Sequence, residues 1–187
     1  MSRLQSAQPL TASPAVPADD HWIEALDDGS HVLIRPLRAE DREREREFIR
    51  RLSPETRHLR FLCAIKEASP ALLDQLMDVD YRDRMAFVAL VHRDGELIEV
   101  GVSRYAATDE PGHCECAVTV ADDWLGRGLG VVLMRHLIDS ARNNGFKRIY
   151  SVDAATNAGM QRTARALGFN CRRDPHDATQ VIHSLEL

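Results

Sequence analysis

A chain of 187 residues, 44% hydrophobic and 28% charged, holds enough apolar material to bury one core without disulfide or metal staples. Its net charge of −5 excludes general binding to nucleic acid or an anionic membrane surface and is compatible with a cationic substrate. No apolar run approaches the roughly 20 residues of a membrane span. The opening stretch MSRLQSAQPLTASPAVPADD has no continuous apolar segment of the kind a secretory signal needs. We therefore expect a flexible leader over residues 1–20, one domain over 21–187, and a cytoplasmic location.

Taken in chain order, His31 to Arg35 reads as a short strand stopped by Pro36. A charged helix follows over about 40–52, with Phe48, Ile49 and Leu52 on one stripe and the run DREREREF as a solvated face. Ser53-Pro54 and Ser69-Pro70 each read as an N-cap followed by proline at the first helical position, opening helices over 54–60 and 70–77. Met85 to His92 and Glu96 to Tyr105 are strands around the turn Arg93-Asp94-Gly95. After a second turn over 106–112 comes the strand His113 to Val120. A helix then runs to the Asn-Asn-Gly stop near Asn144, followed by a strand over 148–153 and a helix over 158–167 with Gly168 as its C-cap. A short strand near 169–172 and a closing strand over 180–187 complete an α+β pattern, a mixed central sheet flanked by helices.

The four cysteines show neither a CxxC pair nor zinc-type spacing. Cys114 and Cys116 lie two apart on one strand and share a face, with Glu115 on the other. Adjacent His113 invites a metal reading, but small apolar side chains lining a sheet account for these cysteines better. We expect no metal.

The most informative segment is VTVADDW followed by LGRGLG (Leu125 to Gly130) and a helix. Strand, glycine turn and helix start form a socket for an anionic, phosphate-bearing cofactor, because free N–H groups and the positive end of the helix dipole converge there. A dinucleotide fingerprint requires G-x-G-x-x-G, whereas Gly126, Gly128 and Gly130 give G-x-G-x-G. The antiparallel meander upstream also conflicts with a doubly wound sheet. A P-loop lacks its Gly-Lys-Ser/Thr.

Together with A-R-N-N-G, Asn157 and A-L-G-F (Ala166 to Phe169), this segment resembles the GNAT acyl-CoA-dependent N-acetyltransferases over about residues 32–187. More narrowly, IRPLRAEDRE, RLSPETRHLRF, DVDYRDRMAFVA, VGVSRY and ECAVTVADDW are similar to the acetyltransferase domain of bacterial Pat-type protein lysine acetyltransferases. The resemblance implies the GNAT fold, acetyl-CoA as donor, and a primary amine as acceptor, possibly a protein lysine. It places the pyrophosphate grip on the backbone of Leu125, Gly126, Arg127, Gly128, Leu129, Gly130 and Val131. Leu125 stands where the family has Gln or Arg. The pantetheine arm would pair with the backbone of Val118 and Val120, as an added strand does, and Asn157 would contact the cofactor or serve as an N-cap alone.

Glu115 matches the glutamate that acts as base in Pat-type enzymes. A base is valuable because a lysine ammonium has no lone pair and a pKa near ~10.4. A carboxylate in an otherwise apolar strand is also costly unless functional, exposed or paired with an arginine. The family's general-acid tyrosine is replaced by Ala164; Tyr105, His113 and Tyr81 are near in sequence. Two alternatives remain: a small amine or protein N-terminus as acceptor, and a non-catalytic module that binds acyl-CoA.

Overall fold

The computed structural model describes residues 20–63 and 65–187, so the expected leader lies outside the described residues apart from Asp20. The elements are β1 (Trp22–Ala25), β2 (His31–Pro36), α1 (Arg42–Arg51), α2 (Pro54–Phe61), α3 (Pro70–Met77), β3 (Arg84–Arg93), β4 (Glu96–Ala107), β5 (His113–Val120), α4 (Leu129–Asn143), β6 (Arg148–Ala154), α5 (Ala158–Ala166), β7 (Asn170–Arg173) and β8 (Gln180–Glu186). All eight strands join one sheet in the order β1-β2-β3-β4-β5-β6-β8-β7. Only β5 and β6 run parallel among the described residues; every other neighbouring pair is antiparallel. Strand β1, which the sequence reading did not contain, closes a hairpin onto β2 through an Asp-Gly turn in which Gly29 has φ 81° and Asp28 accepts from the Ser30 N–H.

Helices cover both faces, as the expected α+β class requires. On β4 the consecutive residues Ser103 and Arg104 point in opposite directions. Ser103 donates to the Leu133 carbonyl of α4, whereas Arg104 pairs with Glu45 of α1 at 2.8 Å. Helices α1 to α3 therefore lie on one face, and α4 with α5 on the other. Gly101 lets α4 approach the sheet, since a Cβ there would stand 2.9 Å from Leu133 Cδ1. Just before it, Ala89 faces Gly101 and Leu90 faces Glu99, leaving Val100 as the extra residue of a bulge.

Both Ser-Pro pairs cap as expected: Ser53 accepts from the Thr56 N–H at 3.1 Å, and Ser69 from that of Leu72 at 3.2 Å. The run DREREREF departs from its expected solvated face. Asp41 and Glu45 share the inward stripe with Phe48, Ile49 and Leu52, and both are buried. Burial alone would raise the Asp41 pKa, but a bidentate ion pair to Arg35 (2.6 and 2.7 Å) holds it below the usual carboxylate range. No described helix is long and apolar enough to cross a membrane.

Candidate active site

The sheet opens at its one parallel junction. Strands β5 and β6 pair through His113↔Arg148, Cys114↔Ile149 and Glu115↔Tyr150, and then part. Beyond Glu115, β5 runs on to Val120 against β4 alone, while β6 continues to Ala154 against β8 alone. A V-shaped gap thus separates residues 116–120 from 151–154, bordered by unpaired backbone groups of two strands. Val118 and Val120 lie half-buried on the β5 border.

The gap leads to the glycine turn. A 3-10 turn, Asp122–Trp124, is tied to the start of α2 by Asp122, which accepts from the Ser53 N–H (2.8 Å), the Ser53 hydroxyl (2.7 Å) and the Thr56 hydroxyl (2.6 Å). Gly126 and Gly128 have φ 76° and 83°, and Gly128 is the N-cap of α4. The first amides of that helix with an acceptor are Val131 and Val132, both bonded to the Gly128 carbonyl. The five N–H groups of residues 126–130 therefore donate to no protein acceptor among the described residues. Successive free donors at a helix start form an anion seat.

Around this seat the chain is braced by the turn between β1 and β2. The Asp27 N–H donates to the Arg127 carbonyl (3.1 Å), and a Cβ on Gly128 would come within 2.7 Å of Asp27 Oδ2. Arg127 pairs with Asp28 (3.0 Å), donates to the Asp123 carbonyl (2.6 Å) and lies 4.6 Å over the Trp124 ring. Its guanidinium thus braces the loop. Leu125 is 55% exposed beside the turn, Leu129 is buried in the core, and Gly130 packs near Thr163 of α5. Asn157 caps α5, its side-chain oxygen accepting from the Met160 N–H at 3.0 Å.

Glu115 stands at the apex of the gap, exposed, between buried Cys114 and Cys116 that point into the core. The flanking thiols are inert, since burial pushes Cys114 up to about 12 and holds Cys116 well above the ordinary thiol range. One side of the Glu115 carboxyl is open to solvent. Desolvation on the other side raises its pKa, the charge of Asp153 adds to the rise, and Arg60 opposes it. Such a carboxylate is a better base than a free one. Arg60, in the last turn of α2, makes no ion pair among the described residues, and burial followed by repulsion from Arg104 lowers it to about 10. Asp153 accepts from Ser151 (2.6 Å) and bonds His183 Nδ1 (3.1 Å).

The tyrosines near Glu115 in sequence have other partners. The Tyr105 hydroxyl donates to the Arg82 carbonyl (3.0 Å) and accepts from Asn144 (2.7 Å), and that of Tyr81 donates to the Leu37 carbonyl (2.9 Å). His113 pairs with Glu110 at 3.0 Å, and Ala164 is buried. Sequence reading overlooked Tyr150, which the register sets beside Glu115. Its only signal was a place on the RIYSVD strand, and nothing in that run tells which strand it pairs with.

A family model described as the Acetyltransferase (GNAT) family matches residues 42–169, well over half of the chain. The chain belongs to the GNAT acetyltransferase family. It is 68% identical over its full 187 residues to an acetyltransferase of Pseudomonas aeruginosa, covering 100% of both chains. It is also 33% identical over 144 residues to the Acetyltransferase Pat of Mycolicibacterium smegmatis, covering 75% of this chain and 41% of that protein. Among solved structures, the GNAT domain of S. lividans PAT superposes with a TM-score of 0.81 at 25% identity, covering 91% of this chain and 99% of that one. A cAMP-binding acyltransferase from Mycobacterium smegmatis superposes with a TM-score of 0.62 at 26% identity, covering 89% of this chain and 47% of that one. The chain spans less than half the length of these two mycobacterial proteins.

Proposed function

We propose that this GNAT domain transfers the acetyl group of acetyl-CoA to a primary amine, a protein lysine first among the candidates, by direct attack in a ternary complex. The observation that carries the reading is a continuous track: five amides at residues 126–130 without an acceptor among the described residues, then the edge of β5 that has left β6, then Glu115 at its end. In this reading the turn from Leu125 to Val131 holds the diphosphate through the amides of residues 126–130, which have no protein acceptor among the described residues, with Arg127 bracing their loop. The edge at Val118 and Val120 pairs with the pantetheine amides. Asn157, whose oxygen caps α5, offers its side-chain nitrogen from the far side of the gap.

The chemistry follows from placement. Glu115 takes one proton of the ammonium directly or through one water, the freed lone pair attacks the thioester carbon, and the C–S bond breaks as the tetrahedral oxyanion collapses, the attacking nitrogen releasing its second proton to solvent to leave the neutral amide. A backbone N–H of the open β5 edge, that of Val118 first, meets the oxyanion. The thiolate takes its proton from solvent, since Ala164 leaves the usual acid position without a hydroxyl. No acyl-enzyme forms, because no nucleophile stands at the apex: both flanking cysteines are buried and protonated.

The test is thiol release from acetyl-CoA by the purified protein with and without a lysine peptide, with mass spectrometry of the peptide and of lysate proteins. Peptide-dependent release with acetyl on the side-chain nitrogen supports the reading. Release with a polyamine or on the α-amine alone would move the acceptor class, and acyl-CoA binding without release would make the domain a non-catalytic binder. The Pat name of the mycobacterial relative supports a protein acceptor.

A further inference from the structure

We propose that Tyr150 is a specificity-determining residue, an aromatic wall beside Glu115 against which the alkyl chain of the acceptor ammonium lies. The inference rests on the acetyltransferase reading above and adds a component for acceptor recognition. Glu115↔Tyr150 is the last pair before β5 and β6 separate, so the ring stands at the apex of the gap. Residues paired across neighbouring strands present their side chains to the same face, about 5 Å apart. On the opposite side Glu115 pairs with Ala106, an exposed residue whose methyl leaves the carboxylate accessible from the β4 side. One row therefore reads methyl, carboxylate, aromatic ring, the components of a slot for a primary alkyl ammonium: the carboxylate takes the charge and the ring takes the methylenes and the edge of the cation.

Tyr150 is half-buried, and its hydroxyl has no hydrogen-bond partner among the described residues, so no hydrogen bond there calls for the phenol. Burial first, then the charges of Glu115 and Glu110, keep that phenol neutral through the working pH range. The charged groups whose fields reach Glu115 are Arg60 of α2 and Asp153 of β6, the latter engaged by Ser151 and His183. One row further on, on the same face, His113 is engaged by Glu110 and Arg148 by Glu186. A cation entering the slot thus meets Glu115 beside a neutral ring.

The experiment is steady-state kinetics with a lysine peptide at saturating acetyl-CoA for wild type, Tyr150→Phe, Tyr150→Leu and Tyr150→Ala, with CoA affinity and thermal unfolding measured on each. We expect Tyr150→Ala to raise the peptide KM about tenfold and Tyr150→Leu somewhat less, while Tyr150→Phe stays within about threefold, as a cation–π contact of ordinary strength requires. In all three, kcat and CoA affinity should stay within about threefold of wild type. An unchanged KM in a folded Tyr150→Ala would overturn the proposal. So would a kcat loss in Tyr150→Phe equal to that in Tyr150→Ala, because the phenol would then act in the chemical step. If Tyr150→Ala does not fold, an unchanged KM in Tyr150→Leu is the refuting result. A wild type without amine-dependent thiol release would instead defeat the acetyltransferase reading itself.

Discussion

Replacing Gly101 with alanine tests how the sheet sets the anion seat. The new methyl would stand 2.9 Å from Leu133 Cδ1 and 3.3 Å from both Leu129 Cδ2 and the Thr119 carbonyl oxygen. Carbon atoms pack at about 3.5–4.0 Å, so α4 must retreat by roughly 0.6 Å or more. Leu129 and Leu133 are buried at 1% and 0% exposure and have no free volume to absorb the shift. Overpacking of this kind costs about 1–3 kcal/mol. For a chain of this size that lowers Tm by roughly 2–12 °C. Because Leu129 directly follows Gly128, the displacement also moves the free amides, and CoA affinity should fall several-fold. Circular dichroism melts and calorimetric CoA titration read both effects. Gly159→Ala is the control: its nearest neighbour would lie at an ordinary 3.5 Å, and a helical glycine replaced by alanine is neutral or stabilising by up to about 1 kcal/mol. A Gly101→Ala protein with unchanged Tm and CoA affinity would refute the argument.

Further outcomes follow from the charged groups. Glu115→Gln should lower kcat/KM at pH 7 by at least about 10²-fold, and the deficit should shrink as pH rises toward the lysine pKa, where free amine no longer limits attack. A deficit that stays constant from pH 7 to 9.5 would assign the base role elsewhere. In wild type the acidic limb of the same profile should lie above the ordinary carboxylate value, because burial and then Asp153 raise Glu115. Glu99 is 1% exposed with both oxygens lacking a donor, and burial followed by the Glu45 charge raises its pKa well above the ordinary value. Its contribution to stability is therefore complete below the unfolded-state value and is lost as pH rises through the folded-state value. Glu99→Gln stays neutral and can still donate to Glu45, so its stability relative to wild type should grow with pH, by about 1–3 kcal/mol at alkaline pH. Parallel pH–stability curves for the two proteins would contradict this.

Much of the fold was legible because its signals are local. Ser53-Pro54 and Ser69-Pro70 fix helix starts through one side chain and one ring, and Gly128 marks the turn because a left-handed residue there admits no Cβ. Residues 41–48 were misread because alternating charge looks solvated, whereas the partners of Asp41 and Glu45 are Arg35 and Arg104, one of them 59 positions away. Strand β1 is only four residues long, and its Asp-Gly turn lies beside a polar stretch that resembles a leader. At the site, the family resemblance reached Glu115 and the glycine turn. The opening between β5 and β6 could not be read, because periodicity does not reveal where pairing ends. Nor could the brace of Asp27 and Asp28 on Gly128 and Arg127, a contact across about a hundred residues.

The anion seat at the start of α4 is tested most directly by amide NMR of the labelled protein titrated with CoA. The N–H resonances of residues 126–131 should move most, with those of Val118 and Val120 next. If they stay fixed while amides elsewhere shift, the nucleotide binds at another place and the role given to Glu115 loses its foundation.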